Sequence, residues 1–211
     1  MTPQAPFLDD GVMRYDLRLT ADMVTPGSRV LDVGCGDGDL LAYLQREKGV
    51  DGRGIELSMA GVRTCVSNGL SVIQGDADTD LKDYPTGAFD YAILSQTLPA
   101  THHPREVLQQ LLRIGRWAVV SIPNFGHWKV RLSLALQGEM PVNEFLTDAW
   151  WETANIHYCT LRDFHHLCDL LDIRVEQGLV LNSRGRALRV PPRGSLANLM
   201  GQQAIFLLRR S

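Results

Sequence analysis

The 211-residue sequence lacks several features that would place it in a specialised class of protein. Its four cysteines, Cys35, Cys65, Cys159 and Cys168, form no C-x-x-C pair and show no His/Cys spacing suited to zinc. No apolar run approaches the ~20 residues that a transmembrane helix needs, and the first residues show no signal-peptide pattern. The net charge of −3 is not that of a dedicated nucleic-acid binder. We therefore expect a cytoplasmic protein with reduced cysteines and without a metal, a membrane segment or a nucleic-acid partner.

Strand-length apolar runs alternate with stretches of helical periodicity from residue 29 to residue 122, after a predicted N-terminal helix at about 12–25. The predicted strands cover residues 29–33, 52–56, 70–74, 89–95 and 117–122. Strands that alternate with helices pair in parallel and are covered by helices on both faces. The predicted fold class is therefore α/β, with a doubly wound Rossmann-like sheet in a single domain of residues 1–211 and a core at about 29–123.

Residues 124–160 break this rhythm and contain three of the four tryptophans, Trp128, Trp150 and Trp151. Long loops in compact domains commonly act as lids or binding loops, so we predict a lid here. The alternative is that these aromatic side chains cover an apolar edge of the sheet.

The last part of the chain, residues 161–211, is predicted to contain one helix and two strands. Thr160 is a candidate helix cap, with Asp163 three residues later as in a capping box. The strands, at 173–181 and 204–208, are candidates for an antiparallel pair, because residues 195–200 allow one short helical turn at most.

The sharpest local signal is the sequence DVGCGDG at residues 32–38, directly after the first predicted strand. Its alternate glycines let the backbone pass close to a ligand. A dinucleotide is one candidate, but position 39 is aspartate where the G-x-G-x-x-G fingerprint requires its third glycine.

The acidic residues around this loop favour a different ligand. Asp32, Asp37 and Asp39 would repel a pyrophosphate, whereas they suit a ligand that carries an ammonium and a sulfonium. S-adenosylmethionine is such a ligand, and we favour it over NAD. We expect the Asp32 carboxylate to bond the N–H groups of the loop and to face the ammonium of the ligand.

Two further acids follow the next two predicted strands. Glu56 lies twenty residues after Gly36, where a carboxylate can accept hydrogen bonds from both ribose hydroxyls. Asp76 lies twenty residues after Glu56, and it can accept the adenine amino hydrogen while a backbone N–H meets a ring nitrogen. Either acid alone could be a solvated strand end, but three successive strand ends at one sheet edge indicate an adenosine site.

On these residues the chain resembles the class I S-adenosylmethionine-dependent methyltransferases. Residues 32–38 match their glycine motif, Glu56 their ribose-binding acid and residues 76–77 their adenine-edge pair. The more selective strings at 13–16, 95–98, 121–128 and 155–164 resemble the bacterial methionine biosynthesis protein family MetW, over nearly the whole chain. The resemblance implies a mostly parallel seven-stranded sheet whose last strand is antiparallel. It also implies S-adenosylmethionine or S-adenosylhomocysteine as ligand, with nine binding residues: Asp32, Gly34, Cys35, Gly36, Glu56, Leu57, Asp76, Ala77 and Ser95.

The same resemblance implies a role in methionine biosynthesis and an association with the homoserine O-acyltransferase MetX. Such a protein could sense S-adenosylmethionine rather than consume it. The alternative is a small-molecule methyltransferase that acts without a partner. The sequence leaves the choice open.

No catalytic residue is identified by spacing. The strand that should end at the methyl group is followed by Ser95, Gln96 and Thr97. The candidate bases are four histidines, each of which also fits a structural or surface role: His102, His103, His127 and His157. The arginine-rich loop at 184–193 is either a grip for an acidic partner or anionic ligand, or a solvated turn.

Overall fold

The computed structural model describes residues 13–140, 152–153 and 156–211. Seven helices and eight strands form within these ranges. The first half contains α1 Tyr15–Asp22, β1 Arg29–Val33, α2 Asp39–Lys48, β2 Asp51–Glu56, α3 Met59–Ser67, β3 Val72–Gln74, β4 Phe89–Ser95 and α4 Pro104–Ile114. The second half contains β5 Gly115–Pro123, α5 Trp128–Gln137, α6 Leu161–Leu170, β6 Ile173–Leu181, β7 Ala187–Leu188, α7 Ser195–Met200 and β8 Gln203–Arg210. Two 3-10 turns lie at Leu81–Asp83 and Leu98–Ala100.

All eight strands join in one sheet, in the order β3-β2-β1-β4-β5-β8-β6-β7. The first five pair in parallel, and β8 then runs antiparallel to β5. The predicted α/β class, the doubly wound arrangement and the antiparallel last strand are therefore confirmed.

Two details of the C-terminal part differ from the prediction. The described residues form eight strands rather than seven, because the two-residue strand β7 pairs with the edge strand β6. The predicted antiparallel pairing of β6 and β8 is correct, but the six-residue helix α7 precedes β8 where one short turn at most was expected. Both elements are too short to give a readable periodicity.

The central strands are apolar along almost their whole length because helices cover both faces of the sheet. On one face, α4 contributes Val107, Leu108 and Leu111, which are buried. On the other face, Ala21 of α1 and Leu44 of α2 are buried against the sheet. These helices therefore cover the two faces of the sheet and leave the carboxyl ends of its strands uncovered by them.

The strand order reverses between β1 and β4, because β1 pairs with β2 on one side and with β4 on the other. In open α/β sheets a ligand binds outside the carboxyl ends of the strands at such a reversal. The glycine loop at residues 34–38 leaves β1 at this point. The topology therefore places the glycine loop at the position where open α/β sheets bind their ligands.

The predicted lid is described only in part. Trp150 and Trp151 lie outside the described residues, while Trp128 begins α5. At the end of the segment, the N–H groups of Ile156 and His157 both donate to the carbonyl oxygen of Pro99 at 2.9 Å. Within the described ranges, no helix combines the length and the apolar character of a membrane span.

The predicted start of α6 is confirmed in detail. The Thr160 hydroxyl accepts the Asp163 N–H, and the Asp163 carboxylate accepts the Thr160 N–H at 2.9 Å. This capping box satisfies two backbone donors that would otherwise lack partners at the helix start.

Candidate cofactor-binding site

The glycine loop is held against β2 by backbone hydrogen bonds. The N–H groups of Gly34 and Cys35 donate to the Ile55 carbonyl oxygen at 2.8 and 3.2 Å. The expectation that Asp32 accepts the loop N–H groups is therefore wrong. Gly34 has a φ of 71°, and a Cβ there would lie 2.6 Å from the Thr97 hydroxyl oxygen. A side chain at position 34 would thus close the space between the loop and the end of β4.

Glu56 and Gly36 meet as the sequence predicts. One carboxylate oxygen of Glu56 accepts the Gly36 N–H at 2.8 Å, and the other accepts the Ser58 N–H at 2.8 Å. Each oxygen keeps a second lone pair for another donor. Gly61, in the first turn of α3, permits this approach, because a Cβ there would lie 2.8 Å from the Gly36 oxygen and 2.9 Å from Cγ of Glu56. Sequence reasoning missed Gly61, since a glycine inside a helix gives no local signal of a contact from elsewhere.

The third acid, Asp76, is fixed by its own turn. One of its oxygens accepts the Asp78 N–H at 2.9 Å, and its N–H donates to Asp80 at 2.9 Å. This backbone donor lowers the pKa of the Asp80 carboxyl. Among the described residues, the Ala77 N–H meets no acceptor. A carboxylate oxygen and an N–H group are therefore available side by side at the end of β3.

Asp78 connects this turn to the far side of the site. Its two carboxylate oxygens accept the N–H groups of His102 and His103, each at 2.8 Å, just before α4 begins. Asp78 thus caps α4 from another part of the chain. The sequence pattern gives no sign of this contact.

Two cavities, of about 310 and 290 Å³, flank the glycine loop, and Gly34 lines both. All nine predicted binding residues line one or the other. The first cavity takes Glu56, Leu57, Asp76 and Ala77, and the second takes Asp32, Cys35, Gly36 and Ser95, with Gly34 between them. Volumes of this size are typical of small-molecule sites. The structure therefore brings the nine residues together, and their role in binding stays a prediction.

The second cavity has a strongly asymmetric charge. Asp32 is 2% exposed, and burial, with a smaller contribution from the charge of Glu56, raises its pKa to about 7. No hydrogen-bond donor from the described residues meets its carboxylate. Asp37 and Asp39 also line the cavity but are exposed. An unpartnered acid in a cavity wall is a candidate contact for a cationic ligand.

Arg14 is the one cation among the described residues that line this cavity. Its guanidinium donates to both oxygens of the buried Asp16, at 3.1 and 2.5 Å. The Gln96 amide donates to Asp16 at 3.0 Å and to the Gln203 side chain at 2.9 Å. Gln96 has a φ of 57°, a left-handed conformation that a side chain other than glycine rarely adopts. Neither Arg14 nor Asp16 was predicted as a site residue, because their distance along the chain from the glycine loop hides the contact.

The candidate bases do not converge on this cavity. His127 is buried, caps α5 by accepting the Lys129 N–H, and has its pKa lowered by burial. His157 lies beside the His102 carbonyl, and His102 lines the first cavity instead. The Ser95 hydroxyl lies 3.2 Å from that of Ser121. The described residues therefore supply polar groups but no identifiable base near the end of β4.

The cysteines have structural surroundings. Burial raises the pKa of the Cys35 thiol, and the Cys65 thiol donates to the Gly36 carbonyl oxygen at 3.3 Å. All four cysteines are free. Within the described ranges, no group of three or more His, Cys, Asp or Glu side chains could hold a metal ion.

The sheet order and the loop after β1 define a protein with the fold of the S-adenosylmethionine-dependent methyltransferases. One such structure, from Mesorhizobium loti, matches with a TM-score of 0.67 over 95% of this chain and 99% of its own, at 16% identity. A TehB-like one from Corynebacterium glutamicum matches with a TM-score of 0.62 over 96% and 90%, at 17% identity. The family model of the methionine biosynthesis protein MetW matches residues 14–208, and the chain belongs to this family.

A relative from Rhodopirellula baltica is described as a bifunctional methionine biosynthesis protein MetXA/MetW. It is 30% identical over 178 residues, which are 80% of this chain. The match covers 28% of the relative's length, so this chain corresponds to one part of a larger protein there.

Proposed function

We propose that this MetW-family protein binds S-adenosylmethionine and S-adenosylhomocysteine across the glycine loop. The adenosine would lie in the first cavity and the amino-acid end in the second. The observation that carries this proposal is the pair of cavities that meet at Gly34. Glu56 and Asp76 line the first cavity, and Asp32 lines the second.

The adenosine half fits the first cavity by its hydrogen-bond groups. The free lone pairs of Glu56 suit the two ribose hydroxyls, since both of its oxygens are already oriented by backbone N–H groups. Asp76 keeps one oxygen for the adenine amino group, and the adjacent Ala77 N–H suits a ring nitrogen. The end of β3 thus offers an acceptor beside a donor, which match the amino group and the ring nitrogen of adenine.

The amino-acid half fits the second cavity by charge. Asp32 suits the ammonium, because a buried carboxylate without a donor gains most from a cation. Arg14 lines the same cavity and suits the carboxylate of the ligand. The sulfonium would then lie near Asp32 and the end of β4. A pyrophosphate would meet Asp32, Asp37 and Asp39 instead, which disfavours NAD.

Calorimetric titration of Glu56→Ala tests the cofactor site. Both ligands present the same ribose, so we expect both to bind about ten- to a hundredfold more weakly, the loss typical of charge-assisted hydrogen bonds. Lys82→Ala, a change on the 3-10 turn at Leu81–Asp83, serves as a surface control. Wild-type affinity in Glu56→Ala would place the ribose elsewhere, and NADH binding without S-adenosylmethionine binding would overturn the assignment.

We further propose that the protein acts with the homoserine O-acyltransferase MetX and senses S-adenosylmethionine for it. Support comes from the relative whose name joins MetXA and MetW in one chain. The test is acyltransferase activity measured with and without this chain, at several S-adenosylmethionine concentrations. A non-interacting acyltransferase whose activity does not respond would contradict the role as partner while leaving the cofactor site intact.

The second candidate function is methyl transfer to a small molecule, which the methyltransferase fold favours. Bound S-adenosylmethionine would supply an electrophilic methyl group. An acceptor lone pair would attack the methyl carbon, and the electron pair of the broken C–S bond would stay on sulfur. Gln96 and Ser95 could only orient an acceptor, since neither is a base. Transfer of radiolabelled methyl to a metabolite extract would support this function, and no labelled product would count against it.

A further inference from the structure

Helix α5 is poorly packed for its composition. Val130 is its one buried residue among ten. In comparison, α4 buries five residues over a similar length. A ten-residue helix is only marginally stable in water and depends on packing of an apolar face. The surroundings of α5 within the described residues provide little of that packing.

The apolar side chains of α5 instead form a solvent-facing stripe. Trp128, Leu132 and Leu136 are 40, 47 and 76% exposed. They are spaced four residues apart and therefore lie on one side of the helix. This apolar stripe is flanked by Lys129, whose Nζ lies 5.9 Å from the Trp128 ring centroid, and α5 contains no acidic residue. Such a face is typical of a helix that lies in an apolar groove of another molecule.

The first turn of α5 is nevertheless held firmly. His127 caps it, and the Arg131 side chain donates to the Gly126 carbonyl oxygen at 2.6 Å. None of the three stripe residues lines either cavity beside the glycine loop. The stripe is therefore presented by an ordered helix and is separate from the candidate cofactor site.

We propose that the apolar stripe of Trp128, Leu132 and Leu136 is the surface that docks on the homoserine O-acyltransferase. This inference rests on the proposed function, in which that enzyme is the partner. The name of the Rhodopirellula relative joins MetXA and MetW in one chain, in which a covalent connection keeps two such parts together. Two separate chains need a contact surface to stay together. An apolar stripe beside cationic side chains fits a partner groove that has an acidic rim.

The test uses the full chain, the acyltransferase of the same organism, and the double substitution Leu132→Glu/Leu136→Glu. Leu170→Glu is the matched control, because Leu170 is also an exposed helical leucine, 65% exposed, but lies on α6. Affinity between the two proteins is measured by biolayer interferometry. Oligomeric state, thermal midpoint and S-adenosylmethionine affinity are measured for each variant alone.

We expect the double substitution to weaken the complex by at least about a hundredfold, since two buried apolar contacts become buried charges. Leu170→Glu should bind as the wild type does, and both variants should keep the wild-type melting temperature and cofactor affinity. Binding by the double variant at wild-type strength would overturn the docking surface and leave the proposed partnership standing. No binding by the wild type would overturn both.

Two further results would give the stripe a different occupant and overturn the proposal. One is a wild-type dimer that the double substitution converts to a monomer, which would assign the stripe to a second copy of this chain. The other is a large loss of thermal stability in the double variant alone, which would show that the chain covers the stripe itself.

Discussion

If Asp32 binds the ligand's ammonium as proposed, cofactor binding depends on pH in a direction that can be calculated. Its pKa is raised to about 7 in the free protein, so about one molecule in ten carries the charge at pH 6 and about three in four at pH 7.5. A cationic ligand favours the charged form and lowers this pKa on binding. S-adenosylmethionine should therefore bind roughly eightfold more tightly at pH 7.5 than at pH 6, with release of a proton near the lower pH.

The assay is calorimetry at several pH values between 6 and 7.5, in buffers of different ionisation enthalpy. Asp32→Asn removes the titration, so its affinity should change little over this range and be roughly tenfold weaker than wild type at pH 7.5. 5′-Methylthioadenosine, which lacks the amino-acid end, should show little pH dependence. A flat wild-type profile, or a slope that persists in Asp32→Asn, would refute the assignment of the ammonium to Asp32.

Three other substitutions test separate parts of the site. Gly61→Ala should weaken both cofactor forms about tenfold in calorimetry, because the new Cβ would displace Glu56; unchanged affinity would show that the carboxylate adjusts freely. Asp78→Ala should lower the free energy of unfolding in urea by about 1–2 kcal/mol through loss of the α4 cap, and an equal loss in Asp78→Asn would argue against the cap. Arg14→Gln should weaken S-adenosylmethionine about tenfold and 5′-methylthioadenosine hardly at all, whereas equal losses for the two ligands would assign Arg14 to folding rather than to binding.

The sequence predicts the features that depend on local periodicity and on strand ends. β1 and β4 are apolar throughout because both faces are covered, so their runs are readable without a structure. Glu56 bonds the glycine loop, and Asp76 lines the same cavity as Gly34, because the carboxyl ends of parallel strands share one edge of the sheet. The nine predicted residues lie together for that reason.

Contacts between distant parts of the chain are not readable in this way. The N–H groups of Gly34 and Cys35 bond the Ile55 carbonyl oxygen of β2 rather than the Asp32 carboxylate. Arg14 reaches the second cavity only because α1 packs beside the glycine loop. Gly61 likewise lies against the distant Gly36 carbonyl oxygen, and Asp78 bonds the distant N–H groups of His102 and His103. Such contacts follow from the assembled sheet and not from any pattern within one element.

Asp32 also shows why the proposed cofactor site would weaken the protein that carries it. The pKa of Asp32 is raised from 3.8 to about 7 on folding, so its contribution to stability is complete below pH ~4 and is lost as the pH rises through ~7. Three pKa units correspond to at most about 4 kcal/mol, a large share of the 5–15 kcal/mol that stabilises a typical domain. In the free protein Arg14 does not offset this cost, because it is already paired with Asp16. The ammonium of a bound ligand would offset it. The Asp32 carboxylate therefore destabilises the free protein and would be favourable in the proposed complex. A ligand that interacts differently with two states of a protein in this way shifts the equilibrium between them.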